Sequence, residues 1–358
     1  MNIEEILEDS LQKGGSDLFI VPGAPIHVKV KGRMEPFGSQ PVMPAQSLEL
    51  ISQIYENASR SQETLKQTGD DDFSFSIRNV GRFRCNAYKQ RNSYAAVIRI
   101  VPFGLPDPKQ MSIPQTVIDL ARTKNGMILV TGPAGSGKST TLACLIDEIN
   151  RTKTGHIITL EDPIEFIHPH KNCLISQREI SLDTQDYAAA LRAALRQTPN
   201  TILLGEMRDF DTIQTALTAA ETGQLLLSTL HTLGAAKTID RIIDTFPANQ
   251  QAQIRVQLSM VLKAVVSQQL VPGIDGTLVP AFEVMIVTPA IANLIREGKI
   301  HQIDNVIFSS QEGGMQTMDN ALLALFNAGR ITRDSAIAYA QDKTTLSRKL
   351  KEKKLHVV

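Results

Sequence analysis

A chain of 358 residues exceeds the roughly 250 residues at which one hydrophobic core stops growing, so two domains are expected. Hydrophobic residues make up 42% and charged residues 21%, which excludes extensive disorder, collagen-like repeats and a disulfide scaffold. Lys plus Arg and Asp plus Glu both number 37, so no net charge draws the chain to a phosphate backbone or an anionic membrane, and general nucleic-acid binding is not expected. The start, MNIEEILEDSLQKGG, is acidic and spaces Ile3, Ile6, Leu7 and Leu11 as a helix face, unlike the basic and then apolar pattern of a signal peptide. From about Ser16 to Pro102, short alternating runs such as DLFIV, IHVKVKG, DFSFSI, GRFRCNAYKQ and YAAVIRIV, with a helix near SLELISQIYENA, predict a small α+β domain with an antiparallel sheet over residues 1–102.

The Pro-rich stretch PFGLPDPKQMSIP lacks apolar periodicity and predicts a linker over 103–113. Over 114–358 the pattern changes. GMILVTG, HIITLE, TILLGE and QLLLSTLHT are continuous apolar runs, the first, third and fourth followed by helical segments and HIITLE by a loop, which predicts an α/β core whose ligands sit at the carboxyl ends of parallel strands. QQAQIRVQLSMVLKAVVSQQL places Ile254, Leu258, Val261, Leu262 and Val265 at helical spacing and predicts one helix, in the core or at a subunit interface. Beyond Pro289 the pattern is helical, ending in LSRKLKEKKLHVV, expected as a solvated helix end. Cys85, Cys144 and Cys173 are widely spaced and form no CxxC, as expected of reduced cytosolic thiols. No run approaches the roughly 18 consecutive apolar residues of a membrane span, so membrane association is expected only through a partner.

The strongest chemical signal is Gly132-Pro133-Ala134-Gly135-Ser136-Gly137-Lys138-Ser139, followed by Thr140, which matches GxxxxGK[ST] between a predicted strand and a predicted helix. Glycines let successive N–H groups turn inward around phosphate oxygens, Lys138 adds charge near the β and γ phosphates, and the Ser139 hydroxyl suits Mg²⁺. Three later strands end in Glu161-Asp162-Pro163-Ile164-Glu165, Gly205-Glu206-Met207-Arg208-Asp209 and Thr229-Leu230-His231-Thr232. Each alone reads best as a solvated loop. Together, facing one phosphate site, they offer a carboxylate for Mg²⁺, another to orient water, and a group that senses the γ-phosphate. Gly205 stands where many nucleotide hydrolases have Asp. His168-Pro169-His170 is expected to be a solvent-facing loop pair rather than a metal site.

GPAGSGKSTT, LEDPIEF, GEMRD, TALTAAETGQLLLSTLHT and AAKTIDRIID together resemble the secretion ATPase superfamily, and within it the type IV pilus retraction ATPases of the PilT type. The resemblance extends along essentially the whole chain, to SDL near Ser16, GRFRCNAY near Arg82, AIANLIREGK near Ala290 and GGMQTMD near Gly313. Assembly and secretion members usually carry an extra N-terminal domain and a tetracysteine zinc motif, and the lack of both here favours retraction. The resemblance implies a homo-hexameric ring ATPase, with a PAS-like N-terminal domain and a RecA-like core binding ATP and Mg²⁺ between them. It implies a cytoplasmic place at the inner membrane, an inner-membrane platform protein as partner, and pilin as an indirect one. It assigns Lys138 and Ser139 to the Walker A loop, Glu161 to the catalytic glutamate, Glu206 to the Walker B carboxylate acting on Mg²⁺, and His231 to the second histidine of the histidine box. Arg84 and Arg99 match N-terminal arginines that reach the phosphates as that domain closes; from the residues alone they are equally outward charges on strands.

Two positions depart from the family pattern. Gln224 replaces the first histidine of the box and carries no titratable proton near neutral pH, and Ala292 stands in AIANLIRE where retraction ATPases commonly have Arg. Two rivals stay open on the residues: a RecA-like nucleic-acid translocase, and an accessory subunit that binds ATP with weak turnover.

Overall fold

The computed structural model describes residues 2–352 except 31, 79, 102, 103, 311 and 312, so the first residue of the expected linker and the last six of the tail lie outside the described residues. The chain divides into two compact units, Met1–Gly104 with Glu165–Ile167, and Leu105–Ile164 with His168–Val358.

The first unit is an antiparallel sheet of β1 Gly15–Ile20, β2 Ile26–Val30, β3 Arg33–Phe37, β4 Asp70–Ile77, β5 Gly81–Gln90 and β6 Ser93–Val101, in the order β3-β2-β1-β6-β5-β4. One face carries Leu18, Phe83, Cys85 and Ile98, which are buried with Ile3 and Leu7 of helix Ile3–Gln12 and Leu50 and Ile54 of helix Pro44–Asn57. Because side chains alternate along a strand, the same pattern that buries Phe83 and Cys85 sends Arg84 to the other face.

The second unit is a seven-stranded sheet of β7 Gly126–Thr131, β8 Gly155–Glu161, β9 Cys173–Glu179, β10 Thr201–Leu204, β11 Leu225–Leu230, β12 Leu262–Pro272 and β13 Leu278–Ile286. Its order is β13-β12-β7-β11-β10-β8-β9, parallel except where β13 runs antiparallel to β12. Every residue of β7, β10 and β11 is buried, which is why those segments read as unbroken apolar runs. The strand β11 lies between β7, which carries the Gly-rich loop, and β10, which carries Glu206, so the carboxyl ends of β7, β11, β10 and β8 form one continuous rim.

Three expectations need correction. The segment 250–270 is not one helix: helix Gln251–Val261 stops where Leu262 turns extended (ψ 128°), and the chain continues as β12 beside β7. The run AVVSQQLV is apolar at both helical and strand spacings, and its β-branched valines and burial on both faces favour the strand. The loop expected after HIITLE contains a further parallel strand, β9, at the sheet edge. The charged C-terminal segment is only half solvated. Helix Lys343–Glu352 buries Leu346 and Leu350, one turn apart, against Val271, Val279, Met318, Leu322 and Ile331. The cysteine thiols are free and buried. No described helix is long and apolar enough to cross a membrane.

Candidate nucleotide site

The Gly-rich loop leaves β7 at Gly132 and enters helix Lys138–Thr152 through Gly137, with positive φ at Gly132 (141°), Gly135 (74°) and Gly137 (89°). Only glycine takes these conformations without strain, and Gly132 also has no room for a side chain, since a Cβ there would stand 2.2 Å from the Gln268 carbonyl oxygen. Pro133, Ala134 and Gly135 form the exposed crest, whereas Ser139 and Thr140 are half-buried in the helix's first turn. Lys138 is 9% exposed, and its Nζ donates to the Gly132 and Pro133 carbonyls at 2.9 Å each, across the loop.

Gln268, on β12, is 3% exposed and belongs to this site. Its Nε2 donates to the Ser136 carbonyl at 2.7 Å, and its Oε1 accepts from Thr141 Oγ1 at 2.8 Å, so one amide joins the loop to its helix. Helical spacing over 250–270 hid this residue; the β-branched valines of AVVSQQLV were the available signal.

At the other strand ends, Glu161 closes β8 half-buried, and its Oε1 accepts from Gln177 Nε2 at 3.2 Å. Glu206 follows β10, with a side chain only 13% exposed, and pairs with Arg208 through Oε1. Its Oε2 lies 3.4 Å from His231 Nε2, the residue just beyond β11. Asp209 has a structural task, capping helix Phe210–Glu221 by accepting from Thr212 N at 2.8 Å. Gly205 is required by close packing: a Cβ there would lie 2.7 Å from the Tyr187 hydroxyl and 3.2 Å from the Leu160 carbonyl oxygen. Burial, with Glu206, Asp162 and Glu161 nearby, pushes the Tyr187 phenol well above its ordinary range, so Tyr187 stays neutral beside these carboxylates.

The residues present fit a bound phosphate group. Ser136 Oγ, within the loop, and Thr131 Oγ1, just before it, are buried and have no hydrogen-bond partner among the described residues. Such uncompensated groups are costly unless a ligand satisfies them. Beside the loop, a cavity of about 400 Å³ is lined by Met111, Gly137, Thr140, Thr141, Leu278 and Arg330.

Gln224 precedes the first residue of β11, whereas His231 follows the last. At a strand rise of about 3.3 Å per residue, roughly 20 Å separate them, so Gln224 stands at the opposite end of the parallel strands from the Gly-rich loop. It accepts from Thr222 Oγ1 at 2.7 Å. Arg84 and Arg99 lie in the first unit, on β5 and β6, each bound to a carboxylate of its own sheet: Arg84 to Asp72 at 2.6 and 3.1 Å, and Arg99 to Asp17 at 3.1 Å. His168 departs from the solvent-facing expectation. It is 6% exposed, its Nδ1 has no partner among the described residues, and burial lowers its pKa to about 4. His170 is exposed, and its Nδ1 accepts from Ile175 N at 3.1 Å.

A Gly-rich loop on β7, carboxylates on β8 and β10, and β11 inserted between loop strand and Glu206 strand define a P-loop ATPase core of the RecA-like class. The chain belongs to the family described as Type II/IV secretion system protein, which it matches over residues 1–278. It is 45% identical over 336 residues to the Pseudomonas aeruginosa type IV pilus retraction ATPase PilT, covering 94% of this chain and 97% of that one. It is also 41% identical over 347 residues to the type IV pilus ATPase PilU of the same organism, covering 97% and 90%. Among solved structures it is similar to the pilus retraction motor PilT with bound ADP, with a TM-score of 0.90 and 43% identity over 97% of this chain and 99% of that one. It is similar also to the Legionella pneumophila ATPase DotB, with a TM-score of 0.79 and 28% identity over 93% of each chain.

Proposed function

We propose that this chain is a Mg²⁺-dependent ATPase motor of type IV pilus retraction, acting as a homo-hexamer at the cytoplasmic face of the inner membrane on a platform protein and, through it, on pilin. The observation that carries the reading is the Gly132–Ser139 loop on the same strand-end rim as Glu161, Glu206 and His231, in a chain similar along most of its length to PilT. The loop amides and Lys138 hold the β and γ phosphates, and the cavity beside Thr140 and Arg330 takes the nucleoside. Ser139 and Glu206 would hold Mg²⁺, which when bound would offset charge on the phosphate oxygens. Glu161 orients and deprotonates the attacking water, and His231, 3.4 Å from Glu206, responds to the γ-phosphate. Arg84 and Arg99 bring positive charge to the phosphates when the N-terminal unit closes, which couples hydrolysis to domain motion.

The test is turnover by the purified full chain. Mg²⁺-dependent ATP hydrolysis that Lys138→Ala and Glu206→Ala abolish is expected, and no hydrolysis under any of these conditions rejects the reading. A second reading, an accessory ATPase of the retraction machinery, is favoured by the 41% identity to PilU. Deleting the gene decides: piliated cells that cannot retract support a main motor, and normal retraction supports the accessory one.

A further inference from the structure

The residues of β12 alternate between two faces, and consecutive ones hold two different loops. Gln268 points to the Gly-rich loop, whereas its neighbour Ser267 accepts from Gly234 N at 2.9 Å, at the start of helix Ala235–Asp244. Directly across from Ser267 in the β12–β13 ladder stands Glu283, which is 1% exposed. One carboxylate oxygen accepts from Ala235 N at 2.7 Å. The other accepts from Gln341 Nε2 at 2.9 Å and from Met318 N at 3.3 Å, the first residue of helix Met318–Asn327. Asp319 extends the network, its two oxygens accepting from Gln341 N at 2.8 Å and Asp342 N at 3.0 Å.

A buried carboxylate is costly to desolvate, and burial raises the pKa of Glu283 even though three donors oppose the shift. For packing alone an apolar residue would serve as well. What the carboxylate adds is a directional junction between two helix N-termini, each of which favours negative charge. One of them, at Ala235, follows His231 by four residues; the other, at Met318, belongs with Gln341 to the C-terminal helical region.

We propose that Glu283 is a positioning residue that fixes the His231–Gly234 loop against the C-terminal helical region, so that the geometry around Glu206 and the docking of those helices depend on each other. The proposal rests on the ATPase reading for its catalytic consequence but not for its structural one. Among the described residues, the hydrogen bonds given for Glu283 run to Ala235, Met318 and Gln341 and not to the Gly-rich loop.

The test uses the full chain with Glu283→Gln, and with Gln341→Ala as a partner substitution in a less buried position. The expected result has two parts. Hydrogen exchange of the amides over 231–236 accelerates at least tenfold in both variants, and kcat for ATP falls roughly tenfold to a hundredfold, as for a catalytic group displaced by a fraction of an ångström, while KM stays within about threefold. Gln341→Glu combined with Glu283→Gln reverses the donor and acceptor and is expected to recover part of the protection. If Gln341→Ala folds with parental exchange over 231–236 and parental kcat, the proposal is overturned. It is equally overturned if kcat and KM change only as the folded fraction changes. If the unsubstituted chain hydrolyses no ATP, the functional reading fails while the exchange measurement still decides whether Glu283 holds the loop.

Discussion

Arg84 and Arg99 are direct partners across the β5–β6 ladder, so two guanidinium groups share one face of the N-terminal sheet, with Asp72 bound to the first and Asp17 to the second. Like charges placed opposite each other on a sheet normally repel, and these two carboxylates offset that repulsion. Arg99 remains 70% exposed, so its pairing with Asp17 is weakly held.

The paired placement gives the first prediction. Arg84→Ala and Arg99→Ala are each expected to lower kcat by roughly a hundredfold or more, the lower range seen when an arginine stabilising phosphoryl transfer is lost, with a much smaller change in nucleotide affinity. Lysine at either position should restore little, because it cannot form the planar two-pronged contact. Steady-state hydrolysis beside direct binding of a fluorescent nucleotide measures both, and a parental kcat in the two alanine variants would show that these arginines are outward charges of the sheet.

Gln268 gives the second. Its amide donates to one group and accepts from another, Ser136 O and Thr141 Oγ1, at a site closed to water. Glu at this position would set a carboxylate against a carbonyl oxygen, and Met would leave both partners unmet. Either loss costs about 1–3 kcal/mol, so nucleotide affinity is expected to drop by roughly tenfold in Gln268→Met and by more in Gln268→Glu. Titration with a nonhydrolysable ATP analogue measures this, and unchanged affinity in both variants would separate Gln268 from the loop's function.

The contrast between these residues shows what was legible in the sequence. Lys138, Glu161, Glu206 and His231 each follow or close an apolar strand, and a strand's carboxyl end is a place that chain order alone can locate. Gln268 sits inside a strand that has helical spacing, Leu262 through Val271, and its function depends on β12 pairing with β7 from more than a hundred residues away. Gly205 was visible as a departure from the usual Asp, but its cause, the Tyr187 hydroxyl arriving from another element, was not. The tail misled for a related reason. Its charge is real, yet Leu346 and Leu350 are enough to dock one face once helix Met318–Asn327 provides a surface. Local pattern locates strand ends well and contacts between distant segments poorly.

Gly205 gives the third prediction. Gly205→Ala forces either Tyr187 or the Leu160–Glu161 backbone to shift, and overpacking of this kind costs about 1–3 kcal/mol. The shift moves Glu206, the next residue, so the variant is expected to lose both melting temperature and kcat. Tyr187→Phe removes the nearest atom, and the Gly205→Ala, Tyr187→Phe double variant should recover part of both losses, a coupling expected only for groups in contact. Strictly additive effects in thermal melts and hydrolysis assays would show that Tyr187 does not set the requirement for glycine.

His168 gives the last prediction, a dependence of stability on pH. Burial, with a smaller contribution from Lys171, lowers its pKa from 6.5 to about 4, and Asp147 only partly opposes the shift. The folded ring therefore stays neutral over a range in which the unfolded chain binds a proton. Its stabilising contribution is complete above pH 6.5, falls as the pH drops towards 4, and levels off below that. At about 1.4 kcal/mol per pH unit, the loss between pH 7 and pH 5 is on the order of 2 kcal/mol from this one residue. Urea unfolding at the two pH values, for the parent and for His168→Gln, isolates it: the variant should lose some stability at pH 7 but show a pH difference smaller by roughly that amount. Equal pH differences in the two proteins would mean that the ring reaches solvent and takes up its proton in the folded state.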